Sequence, residues 1–137
     1  MGLCMSKDHD EEEPSHLVPA DGRVSLIATK EAWEQKLSEA SRESKIVLAN
    51  FSASWCGPCK MIAPYYCELS EQYPSLTFLT VDVDEVTDLS TSYEIKATPT
   101  FFFLKDGQEI DRLVGSNKAE LAAKISAIVD TQEQCHS

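Results

Sequence analysis

The chain has 137 residues and 42% apolar content, enough to bury one ordinary hydrophobic core. Its formal charge of -11 excludes the basic surface that a phosphate backbone recruits, so no nucleic-acid partner is expected. No apolar run is long enough to span a bilayer and no basic-then-apolar export signal opens the chain, which predicts a cytoplasmic protein.

Residues 1–22 form an acidic extension. The run Asp8-His9-Asp10-Glu11-Glu12-Glu13-Pro14 is charged and proline-broken and is expected to be disordered. One folded domain is expected over 23–131, followed by a flexible tail over 132–137. Val24 to Ile27 reads as a short strand. Thr29 then caps a helix through about Glu43, with Trp33 and Leu37 at helical spacing. Ile46 to Phe51 is apolar almost throughout, as in a strand buried on both faces. A cysteine-bearing turn leads into a helix over Met61 to Tyr73, which Pro64 is expected to kink. Leu76 to Val83 is a strand, Glu85 to Ser92 a short helix, and Thr100 to Leu104 a strand. Asp106-Gly107 marks a hairpin to a partner strand over Glu109 to Val114. Gly115 ends that strand, and Asn117 caps a last helix to about Asp130. The alternating order predicts an α/β fold with parallel pairing through right-handed crossovers and an antiparallel edge.

The motif Trp55-Cys56-Gly57-Pro58-Cys59-Lys60 carries the chemistry. Two cysteines separated by two residues can close into a disulfide and reopen. Between a buried strand and a helix, Cys56 falls where free N–H groups and the helix dipole favour a thiolate. Cys56 is the expected nucleophile. Cys59, one turn further on, is expected to attack the resulting mixed disulfide and release the reduced substrate. Gly57 lets the backbone turn closely, and Pro58 stiffens the first turn where its missing N–H is not needed. The exchange requires no metal and no organic cofactor. A zinc site is disfavoured because no second Cys-x-x-Cys exists and His9, His16 and His136 all lie in the tails. Five cysteines cannot all pair within one chain. Cys67 reads as a small buried hydrophobe, and Cys135 lies in the polar tail. From the residues alone, Pro99 is an ordinary proline opening a strand and Trp55 a core aromatic.

The WCGPCK motif with its preceding strand, Ala97-Thr98-Pro99-Thr100, and Val114-Gly115 together resemble thioredoxin from about Val24 to Val129. Phe51-Ser52-Ala53-Ser54-Trp55 and Val81-Asp82-Val83-Asp84-Glu85 resemble the plant h-type group in its N-terminally extended subgroup. The resemblance implies a thioredoxin-like α/β fold, a central mixed five-stranded sheet flanked by helices. It also implies a reductase of protein disulfides acting in redox homeostasis. A cis bond before Pro99 would face the dithiol, with Thr98 presenting its backbone to an extended substrate segment. Trp55, Gly57 and Pro58 would form a shallow docking groove with Ala97, Thr98, Pro99, Val114 and Gly115. The family usually has a buried aspartate six residues before the first cysteine, often facing a lysine. This chain has Asn50 there and Thr80 opposite. An amide cannot ionise, so it cannot act as that base, and the tuning of Cys59 must differ.

The partners implied are disulfide-containing target proteins and an electron donor. The donor is thioredoxin reductase, or glutathione with glutaredoxin, for which Cys4 offers a mixed-disulfide sulfur. Met1-Gly2-Leu3-Cys4-Met5-Ser6 fits a myristoylation pattern at Gly2, with Cys4 placed for a palmitoyl chain. Acylation would add a peripheral location at the plasma membrane or endomembranes, since one acyl chain needs a second signal. The alternative readings are a membrane-anchored redox module dependent on glutathione or glutaredoxin, and a non-catalytic chaperone-like scaffold.

Overall fold

The computed structural model describes residues 23–136, with side chains through Thr131. The acidic run, Gly2 and Cys4 lie outside the described residues, as do the side chains of Cys135 and His136. The elements are β1 (Val24–Ile27), α1 (Lys30–Arg42), β2 (Ile46–Ser52), α2 (Gly57–Gln72), β3 (Leu76–Asp82), α3 (Thr87–Ser92), β4 (Thr100–Lys105), β5 (Gln108–Val114) and α4 (Lys118–His136). They build one five-stranded sheet in the order β1-β3-β2-β4-β5. β3 pairs in parallel with β1 and β2, whereas β4 pairs antiparallel with β2 and β5. The five strands and the mixed character are those the resemblance implied, but the pairing departs from the alternating order: β4, reached through α3, runs antiparallel to the central strand β2, so the antiparallel part is more than a hairpin edge.

β2 is the central strand, and every one of its residues is buried. Successive side chains point to opposite faces, so an apolar run feeds two cores at once. Val47, Ala49 and Phe51 join Trp33 of α1, Leu89 of α3 and Phe102 on one face. Leu48 joins Ile62, Tyr66 and Leu69 of α2 with Leu121 and Ile125 of α4 on the other. β4 divides its three phenylalanines the same way: Phe101 and Phe103 face α2 and α4, while Phe102 faces α1. The α1 side is locked by an aromatic cluster. Trp33 lies 5.8 Å from Phe51 and 5.7 Å from Tyr93, and Phe102 lies 5.3 Å from Phe51.

Local signals hold at the turns. Thr29 accepts the N–H of Ala32 at 3.1 Å, and Asn117 accepts that of Glu120 at 2.9 Å. Asp106 and Gly107 both have positive φ, 52° and 80°, as a tight hairpin turn demands. α2 begins at Gly57 with Cys56 as its cap, where the motif places the first cysteine, so the helix takes in the turn ahead of the apolar repeat that starts at Met61. α3 starts at Thr87, two residues after Glu85. α4 continues to His136, past the point where its apolar repeat gives out.

Candidate active site

β2 carries the chain to Ser52, whose carbonyl accepts the N–H of Val83 at 2.9 Å. That bond ties the end of β2 to the loop after β3. A turn follows, with the Cys56 N–H donating to Ala53 O at 3.1 Å. Cys56 is extended, with φ -91° and ψ 113°, and its sulfur occupies the N-cap position. The Cys59 N–H donates to Cys56 Sγ at 3.2 Å. Pro58 sits in the first turn and no carboxylate follows it there, so the positive end of the helix is left to the sulfur. Gly57 differs from expectation. Its φ is not positive and a Cβ there would meet nothing within 4 Å, so the turn itself does not require glycine.

The two sulfurs sit in unequal surroundings. Cys56 is 5% exposed and Cys59 1%, and both pack with Ala53 against Val83. Burial pushes the Cys56 thiol up, but hydrogen bonds from the side chains of Cys59 and Thr98 and from the Cys59 N–H outweigh it. The net pKa lies below the ordinary thiol value of 9.0. For Cys59, burial and the bond to Cys56 dominate, and its pKa lies above that value. The Ala53 N–H and the Ser52 and Thr98 side chains oppose the rise. Cys56 is therefore the sulfur that ionises first.

A second segment meets the dithiol from across the sheet. The Thr98–Pro99 bond is cis. The Cys56 S–H donates to Thr98 O at 3.6 Å. The Gly115 N–H donates to Pro99 O at 2.9 Å, with Gly115 at φ 111°, so this glycine is required by backbone conformation. Thr100 and Val114 are register partners, which brings the end of β5 beside the start of β4. Cys56, Thr98, Pro99, Val114 and Gly115 thus converge although distant in sequence, and Ala97 is exposed beside them.

Trp55 is no core aromatic. It is 68% exposed, and its indole N–H donates to Asp84 Oδ2 at 2.8 Å, which lays the ring along the surface beside the cysteines. Sequence reasoning missed Asp84, and it missed Met61, which is 76% exposed. Met61 lines a shallow groove with Gly57, Pro58, Ile62, Ser116 and Lys118. It also missed Ser52. Asn50, Ser52 and Thr80 are all buried, and the Ser52 hydroxyl donates to Asn50 Oδ1 at 2.8 Å. A polar residue two positions after Asn50 on an apolar strand was the available signal, since period two places both on one face. Cys67 is fully buried in α2 and is disulfide-bonded rather than free. Among the described residues no cluster of His, Cys, Asp and Glu is arranged to hold a metal ion.

The sheet order and the unequal sulfur pair define the class: a dithiol protein that trades electron pairs with disulfides. The thioredoxin family model matches residues 24–127, and the chain belongs to that family. A thioredoxin H-type of Populus jackii is 68% identical over 134 residues, covering 96% of each chain. Thioredoxin H9 of Arabidopsis thaliana is 58% identical over 132 residues, covering 96% of this chain and 94% of that one. The crystal structure of a poplar wild-type thioredoxin h, PtTrxh4, matches with a TM-score of 0.78 at 73% identity, over 80% of this chain and 98% of that one. The protein is a protein-disulfide reductase working through the Cys56/Cys59 dithiol. Its partners are disulfide-bearing proteins and a reductase that resupplies the electrons.

Proposed function

We propose that Cys56 is the attacking sulfur and Cys59 the resolving one. The Cys56 thiolate attacks a substrate disulfide, forming a Cys56–substrate bond as the substrate's own S–S bond breaks and its second sulfur leaves. Cys59 then attacks Cys56. The Cys56–Cys59 bond forms, the Cys56–substrate bond breaks, and the substrate leaves as a second thiol. The observation carrying this order is the cap itself: the Cys59 N–H points at Cys56 Sγ, at 3.2 Å, at the positive end of α2.

The substrate lies against Trp55, Pro58 and Ala97, with an extended segment pairing with the backbone of Thr98 beside Pro99. Gly57, Val114 and Gly115 complete the floor. The open space beside Gly57 leaves room for the incoming backbone. The organisation that accompanies this reading is a thioredoxin domain over 23–131 between an acidic extension, 1–22, and a short tail, 132–137. The protein works in the cytoplasm. Acylation of Gly2 and Cys4 brings it to a membrane surface, consistent with the absence, among the described residues, of any helix able to cross one.

Insulin-disulfide reduction tests the order of attack. Wild type should be active and Cys56→Ser inert, while Cys59→Ser should accumulate a mixed disulfide that dithiothreitol releases. An active Cys56→Ser protein would refute the assignment. Running the assay with NADPH and thioredoxin reductase, then with glutathione and glutaredoxin, identifies the donor. Intact mass from native cells reads the acyl chains directly.

A further inference from the structure

The floor beneath Cys59 contains a small polar group that neither the exchange chemistry nor the docking groove uses. Asn50 and Ser52 are two apart on β2 and share the face that packs on α2. Thr80 of β3 is the register partner of Asn50, so its side chain emerges on the same face one strand away. Asn50 is 1% exposed, and Ser52 and Thr80 are 0% exposed. The Ser52 hydroxyl spends its proton on Asn50 Oδ1 at 2.8 Å. The Thr80 hydroxyl is buried with no hydrogen-bond partner among the described residues. Leaving a buried hydroxyl unpaired is costly, and such groups call for an explanation. Ser52 also lies within hydrogen-bond reach of Cys59, next to the Ala53 N–H, and Cys56 is the titratable side chain among the Cys59 partners.

We propose that Ser52 is a positioning residue for the resolving step: its hydroxyl turns from Asn50 Oδ1 to Cys59 Sγ as that sulfur becomes a thiolate, and the idle Thr80 hydroxyl takes its place on Asn50. A hydroxyl has one proton and a free torsion, so it can serve either acceptor but not both. In the dithiol state the proton is on the Asn50 side, and Cys59 keeps its own S–H. When the mixed disulfide forms at Cys56, Cys59 must lose that proton to attack. The proton ends on the departing substrate sulfur, and Ser52 keeps its own throughout. What Ser52 supplies is one hydrogen bond to the thiolate in a place closed to bulk water. Thr80 keeps Asn50 Oδ1 from being stranded when Ser52 turns away. The three residues thus do with neutral groups what an ionisable side chain would do with charge, and they leave no unpaired charge in the core.

This inference rests on Cys59 being the resolving sulfur, and the test separates the two. Reduced full-length protein carrying Cys4→Ser and Cys135→Ser, so that the tail thiols do not report, is mixed with 5,5′-dithiobis(2-nitrobenzoate) in a stopped-flow spectrophotometer; the variants below are made in that background. Attack by Cys56 releases a first thionitrobenzoate, and attack by Cys59 releases a second. If the second release is as fast in Cys59→Ser as in wild type, the resolving assignment itself fails. Given that assignment, Ser52→Ala should leave the first phase within about twofold and slow the second about tenfold at neutral pH. The pH midpoint of the second phase should rise by about one unit, the shift equivalent to that factor. Ser52→Thr, which keeps the hydroxyl, should restore the midpoint. Thr80→Val should slow the second phase in the same direction, and it decides the matter if Ser52→Ala does not fold. An unchanged midpoint for the second phase in Ser52→Ala, or in Thr80→Val where that variant decides, overturns the proposal.

Discussion

Replacing Asn50 with aspartate places an ionisable group in a site that the native chain keeps neutral. The side chain is 1% exposed, and on its face of the sheet it is flanked by Phe101 of β4, its register partner, which is fully buried. Two hydroxyls are available to it, Ser52 at 2.8 Å from the present Oδ1 and the unpartnered Thr80. Desolvation raises the carboxyl pKa, and two donors hold back part of the rise. A net increase of about two to three units above the unfolded value of about 3.9 is expected. A folded pKa raised above the unfolded one has a definite sign. Well below pH 4 both states hold the proton and the group makes no difference to stability. As pH rises, the unfolded chain releases the proton while the folded chain retains it, and stability falls by about 1.4 kcal/mol per pH unit. The loss levels off above the folded pKa. The stability gap between wild type and Asn50→Asp should therefore widen by about 2 kcal/mol between pH 5 and pH 8. Urea unfolding at the two pH values measures it, with the slope m checked for constancy. An equal gap at pH 5 and pH 8 would mean that the carboxylate is well solvated, and the closed polar floor under Cys59 would be refuted.

Other substitutions test separate parts of the fold. Trp33→Ala removes two edge-on aromatic contacts from a residue 3% exposed; a loss of about 3–5 kcal/mol in urea unfolding is expected. Thr29→Ala deletes the acceptor for the Ala32 N–H and should destabilise by about 1 kcal/mol. Gly115→Ala forces a side chain into φ 111° where nothing within 4 Å blocks the Cβ. The strain alone should cost about 1–3 kcal/mol. If the backbone relaxes and the bond from the Gly115 N–H to Pro99 O is lost, KM for a protein substrate should rise with little change in the thermal midpoint.

Much of the fold is legible in the sequence because its signals are local. Thr29, Asn117 and Asp106-Gly107 announce a cap, a cap and a turn through chemistry confined to three or four residues. β2 is legible as a buried strand because both of its faces are apolar. The dithiol is legible for the same reason, being a motif with a strand before it and a helix after it. The parts that were not legible depend on which distant residues meet. The end of α4 was not legible either, since the helix runs on to His136 where the apolar repeat has already stopped. Trp55 taken alone looks like a core residue; the resemblance put it on the docking surface, and what the sequence does not show is Asp84 arriving from the segment after β3 to hold its indole. Asn50 and Thr80 are paired already by the resemblance, and the parallel register of β2 and β3 puts them side by side; what the sequence hides is Ser52, which gains significance only when its hydroxyl is seen on Asn50 Oδ1.

The most direct measurement is the rate of Cys56 carboxymethylation by iodoacetamide as a function of pH, followed by mass spectrometry on the reduced protein. Alkylation consumes the thiolate, so its rate climbs with pH through the pKa of the attacking sulfur. A cap donor and the helix end holding Cys56 below the ordinary thiol value of 9.0 predict a midpoint below 9.0 at Cys56, with Cys59 reacting only at higher pH. A Cys56 midpoint at or above that of an exposed cysteine peptide, or Cys59 reacting first, would contradict the assignment of Cys56 as the attacking sulfur.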